Sequence, residues 1–115
     1  MAKSQIPDPL HRRHELEKDL SPERSLAIAE AYLAEDRVVE ALAFLVKAEA
    51  RDRLAQVRDA AVAEGDTFLL REACVALGEE PQLAHWEGAL VAAEAAGRDA
   101  YAEEARRHAA LLREA

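Results

Sequence analysis

The stretch YLAEDRVVEALAFLVKA, Tyr32 to Ala48, is apolar, briefly charged around Asp36 and Arg37, then apolar again. Upstream of it, Ser21 can cap a helix, Pro22 fits the first turn and Glu23 favours the positive helix end. Leu26, Ile28, Ala29, Tyr32 and Leu33 then recur at helical spacing to about Glu35. Downstream, Val38, Val39, Ala41, Leu42, Leu45 and Val46 carry a second helix to about Ala50. A break this short permits only an antiparallel arrangement of two short helices, so the stretch reads as the centre of one helical hairpin.

The same punctuation recurs along the chain. Asp52 is a possible cap for a helix carrying Leu54, Val57, Ala60 and Ala61, which stops at Gly65. Asp66 and Thr67 open a segment with Phe68, Leu69, Leu70, Ala73, Cys74 and Leu77, closed by Gly78. Pro81 starts a helix containing Leu83, Trp86, Ala89, Leu90 and Ala93, and Gly97 ends it. A last helix runs from about Asp99 to Ala115, with Tyr101, Ala105, Ala109 and Leu112 on one face. The tight turns at Asp36-Arg37, Gly65-Asp66 and Gly97-Arg98 are 29 and 32 residues apart, within the period of stacked helical arrays. A short helix from about Pro9 to Asp19, capped by Asp8 and apolar only at Leu10, Leu16 and Leu20, precedes them. The expected organisation is an N-terminal segment, 1–20, and a three-hairpin domain, 21–115.

Composition agrees with this reading. Twenty-seven alanines, one threonine, and only four glycines and four prolines in 115 residues are a helical vocabulary, and no stretch alternates as a strand would. The expected class is all-α, with three stacked antiparallel hairpins. Half the residues are hydrophobic, enough for one domain to bury a core. The net charge of -8 repels a phosphate backbone, which argues against nucleic acid as a partner. Residues 1–20 balance four basic against four acidic side chains, so the excess acid lies in Ser21 to Ala115. A single cysteine, no secretory leader and no run of eighteen apolar residues give the expectation of a cytoplasmic protein that does not enter a membrane. Scarce lysine beside abundant Arg and Ala points to a GC-rich bacterial source.

The hairpin around Tyr32 resembles the tetratricopeptide repeat through Ile28, Ala29, Tyr32, the turn at Asp36, then Ala41, Leu45 and Ala48. The third hairpin is similar through Trp86, Gly97, Ala102 and Ala109. The middle one departs, with Arg58 at a small-residue position and Leu70, Cys74 and Leu77 at second-helix sites. Arg53, Gln82 and Glu114 stand where the family's unit-ending proline falls. A related α-solenoid or a compact antiparallel bundle fits the same residues. The resemblance implies a short right-handed α-solenoid in which the first helix of each hairpin lines a concave surface. That surface would present Glu23, Leu26, Glu30 and Leu33, then Asp52, Gln56 and Asp59, then Glu87, Val91 and Glu94. The expected partner is a protein or peptide, basic or amphipathic, and the expected role is a non-catalytic interaction or scaffold module. The alternative is a structural subunit that self-assembles through its terminal helices, with Tyr101, Ala105, Leu111 and Leu112 as the seam.

Nothing in the sequence assembles a reaction centre. His11 and His14, at i and i+3 near Glu15 and Glu17, have two arginines between them that oppose a cation, so no metal is expected there. Cys74 lies amid Leu70, Val75 and Leu77, an inert apolar setting, and catalysis would require His85 or His108 to be folded alongside it. Gly65, Gly78, Gly88 and Gly97 are scattered and form no phosphate loop, and Glu79-Glu80 and Glu103-Glu104 read as a turn and a solvated face. No cofactor and no enzymatic activity are expected, Trp86 is expected to anchor the core, and His108 is expected at the surface.

Overall fold

A computed structural model describes residues 6–115. The described residues form seven helices and no strand: α1 (Pro9–Glu17), α2 (Pro22–Ala34), α3 (Val38–Lys47), α4 (Arg51–Glu64), α5 (Thr67–Leu77), α6 (Leu83–Ala95) and α7 (Asp99–Glu114). Contacts divide the chain into two compact units, one reaching to Leu54 and the other Ala55–Ala115, with the division inside α4. No helix among the described residues is long and apolar enough to cross a membrane.

In the first unit, short polar side chains set the helix starts. Asp8 accepts a hydrogen bond from the His11 amide at 2.9 Å, and Ser21 accepts one from the Arg24 amide at 3.1 Å, each followed by a proline in the first helical turn. The His11 amide bond holds the Asp8 carboxyl below the usual carboxylate range. α2 and α3 pack together by burying Ile28, Ala29 and Tyr32 against Ala41, Leu42, Phe44 and Leu45. Each large apolar side chain buried there contributes roughly 1.5–3 kcal/mol. The Tyr32 and Phe44 rings stack with centroids 5.8 Å apart.

α3 ends at Lys47, short of the expected Ala50, because Glu49 takes the left-handed conformation at φ 54°. The Ala50 amide then donates to the Leu45 carbonyl at 3.0 Å, satisfying a carbonyl left open by the helix end. A side chain in this conformation costs about 1–2 kcal/mol. Glu49→Gly is therefore expected to raise stability by up to about 1 kcal/mol, the gain being trimmed by the freer unfolded chain. Urea unfolding midpoints of the two proteins measure it.

In Ala55–Ala115, α6 packs against α7, and α5 also packs against α7. Small residues make the approach possible, with Ala89 and Ala93 buried on α6 and Ala102, Ala105 and Ala109 on α7. α4 comes equally close to α6: a Cβ added to Gly88 would lie 2.7 Å from Val62 Cγ1, and one on Gly65 2.4 Å from the Ala93 amide nitrogen. Asp66 caps α5 by accepting from the Leu69 amide at 3.0 Å. α6 begins two residues beyond Pro81, where the Gln82 amide donates to His85 Nδ1 at 3.0 Å.

Candidate functional site

A groove of about 500 Å³ opens on the Ala55–Ala115 unit. α5 contributes Arg71, Cys74 and Val75, and α7 contributes His108, Leu111 and Leu112. Both sets have i, i+3, i+4 spacing, which places three side chains of each helix on one face. Trp86 of α6 stacks on His108 with ring centroids 4.3 Å apart and planes 9° from parallel. The segment after α5 adds Glu79, Glu80 and Pro81, and Glu72 completes the acidic rim.

The groove combines a closed floor with open apolar walls. Cys74 is fully buried and Trp86 only 3% exposed, whereas Val75 is 76%, Leu111 60% and Leu112 40% exposed. Side chains of that size standing in water beside a concavity mark a binding surface more often than scattered exposed apolar residues do.

Charge around the groove is uneven. Arg71 Nε lies 3.0 Å from Glu104 Oε2, and Thr67 Oγ1 donates to the other Glu104 oxygen at 2.5 Å, so the one cation of the lining is already engaged. Glu79 accepts from Arg58 Nη1 at 2.7 Å, and Arg58 is held protonated by Asp59 and Glu79 together. Among the described residues neither Glu72 nor Glu80 is in an ion pair. Residues 55–115 carry twelve acidic side chains against six basic ones, all arginine, and residues 1–54 eleven acidic against nine basic, so the excess acid is concentrated in the unit that bears the groove.

Folding does bring His108 into the same groove as Cys74, and His108 is half-buried against Trp86 instead of lying free on the surface. Burial pushes the Cys74 thiol up, the wrong direction for a nucleophile that must be a thiolate. Among the described residues no three His, Cys, Asp or Glu side chains converge as a metal site, and His11 Nδ1 is instead 2.9 Å from Asp8 Oδ2.

None of the ten residues expected from sequence to form a binding surface lines this groove. Glu23, Leu26, Glu30 and Leu33 run along α2 and Asp52 opens α4; Gln56 and Asp59 follow on α4, and Glu87, Val91 and Glu94 run along α6. Several of these acids are matched within the chain. Glu30 pairs with Arg53 at 2.8 Å, Asp59 with Arg58 at 3.0 Å, Glu87 with Arg113 at 2.8 Å and Glu94 with Arg106 at 3.9 Å. Exposed pairs of this kind contribute about 0–1 kcal/mol each, but they offset charge that an acidic surface would otherwise present.

The sequence signal for the groove was present as the i, i+3, i+4 sets on α5 and α7, but the sequence does not show that these two faces meet. Compared with protein-family models, curated proteins and solved structures, the chain finds no match.

Proposed function

We propose that the chain is a non-catalytic protein-interaction module that holds an amphipathic, basic helical segment of a partner in the groove formed by α5, α6 and α7. The observation that carries this reading is the exposure of Val75, Leu111 and Leu112 around a concavity rimmed by Glu72, Glu79 and Glu80. Apolar anchors on one face of a helix would enter the groove while its lysines or arginines meet the rim. The packed pairs α2–α3 and α6–α7, with turns at the expected period, support a tetratricopeptide-like stack of hairpins as the scaffold. A buried, lone thiol fits a reducing compartment such as the cytoplasm.

Trp86 is the only tryptophan of the chain and sits in the groove, so its fluorescence is the reporter. Titration with a tryptophan-free helical peptide of leucine and lysine is expected to give a saturable change. The affinity should fall as ionic strength rises to about 1 M, where screening acts within about 3 Å. Leu111→Asp and Val75→Asp are expected to weaken binding at least tenfold while leaving the circular dichroism unchanged. A saturable signal indifferent to both substitutions would place the peptide elsewhere and remove the groove from the account.

A second reading is favoured by the exposure of Leu111 and Leu112 on the terminal helix, a seam on which another copy can pack. Light scattering across micromolar concentrations separates the two. Self-assembly predicts a mass that rises with concentration and returns to the monomer in Leu111→Asp.

A further inference from the structure

Arg12 reaches from α1 onto the α2–α3 pair. Its guanidinium carbon lies 5.6 Å from the centroid of the Tyr32 ring and 5.6 Å from that of Phe44, and its Nη2 donates to the Glu40 carbonyl at 2.9 Å. Two aromatic faces and a carbonyl oxygen suit a planar, delocalised cation with several donors better than they suit a compact ammonium. The slot is built into the fold. Tyr32 and Phe44 are fully buried, and Arg37 stands 4.9 Å from the Tyr32 centroid, fixed there by both oxygens of the Glu40 carboxylate.

The helix that delivers Arg12 is attached differently from the others. No residue of α1 is fully buried, Arg12, Glu15 and Leu16 being half-buried, and Leu10, the first residue of its apolar stripe, is 66% exposed. A second polar tie runs from Lys47 Nζ to the carbonyl of Lys18, just past the end of α1, at 2.9 Å. Arg12 also leaves the slot incompletely used. Among the described residues, Arg12 Nε and Tyr32 Oη are buried without a hydrogen-bond partner, and Tyr32 is entirely shielded. An imperfectly matched occupant on a helix with no fully buried residue can be exchanged for a better one.

We propose that the Tyr32–Phe44 slot is an arginine-recognition site kept shut in cis by Arg12, and that its external ligand is an arginine-bearing helical segment of a partner protein, which enters by displacing α1. The site lies on a different unit from the groove of α5, α6 and α7, and each proposal can fail without the other.

The test uses the full chain and, as probe, a fluorescein-labelled peptide of residues 8–18, DPLHRRHELEK. Arg12→Ala in the chain removes the internal competitor. If α1 is closed more than about nine-tenths of the time, the labelled peptide binds the variant at least about tenfold more tightly than the unsubstituted chain. Replacing the arginine at position 12 of the peptide by lysine is expected to weaken binding several-fold, because the ammonium lacks the planar fork. Circular dichroism establishes that the Arg12→Ala chain is folded. On the unsubstituted chain, an excess of unlabelled peptide is expected to speed hydrogen exchange of the α1 amides. Absence of saturable binding to Arg12→Ala, equal affinity for the two chains, equal affinity of the arginine and lysine peptides, or α1 exchange that the peptide leaves unchanged would each overturn the proposal.

Discussion

Gly65→Ala is expected to destabilise the protein by about 2–5 kcal/mol, combining the cost of a left-handed non-glycine residue with that of overpacking. Gly65 ends α4 at φ 68°, and a methyl group there would sit 2.4 Å from the amide nitrogen and 2.7 Å from the Cα of Ala93, both backbone atoms of α6. The backbone of a packed helix cannot move aside as a side-chain tip can, so α4 and the last turn of α6 would have to separate. Gly97 supplies the control, because it has nearly the same φ, 70°, and nothing within 4 Å of the added methyl. Gly97→Ala should therefore show the conformational cost alone, about 1–2 kcal/mol. Urea unfolding of the two variants isolates the helix contact as the difference between them, and equal losses would mean that the close approach of α4 to α6 is not formed in solution.

Phe44→Ala is expected to cost about 3–5 kcal/mol, the range for deleting a large buried aromatic side chain. Phe44 has no exposed surface, stacks on Tyr32 and stands beside the Arg12 guanidinium, so the substitution leaves a cavity at the centre of the α2–α3 pair. Val39, on the same helix and half exposed, is the matched control, and Val39→Ala should stay within about 0.5 kcal/mol. Thermal and urea unfolding followed by circular dichroism measure both. A small effect at Phe44 would mean that the first unit does not close over this ring.

The helix ends show what the sequence discloses and what it withholds. Five times in the structure an amide donates to the carbonyl five residues before it: Arg37 to Tyr32, Ala50 to Leu45, Asp66 to Ala61, Glu79 to Cys74 and Arg98 to Ala93. The residue before each donor is left-handed. Gly65, Gly78 and Gly97 announce three of these turns, because glycine adopts that conformation without penalty. Asp36 announces a fourth more weakly, through the polar break it makes in an apolar run. Glu49 announces nothing: glutamate has no preference for the left-handed region, so α3 reads three residues too long. The all-α class was legible because alanine-rich periodicity is local.

Docking between helices was less legible. Leu10, Leu16 and Leu20 suggest an apolar contact for α1, and Arg12 adds a bridge to the α2–α3 pair, its guanidinium carbon 5.6 Å from the centroids of both the Tyr32 and the Phe44 ring. A hydropathy stripe cannot register such a residue. The surface expected from acids on α2, α4 and α6 also depended on arginines far along the chain, since Glu30 is met by Arg53 and Glu87 by Arg113. Net charge was readable, but where it remains unmatched was not. Trp86 read correctly as a core anchor, but its stacking partner His108 lies 22 residues on and no local pattern joins them.

The groove itself is tested most directly by mapping amide chemical shifts of the isotopically labelled full chain during titration with the leucine–lysine peptide. Saturable shifts are expected to centre on Val75, Trp86, His108, Leu111 and Leu112, with Glu72 and Glu80 at their edge. Shifts centred on Leu26, Glu30 and Val91, or no saturable shift at all, would contradict binding in the groove.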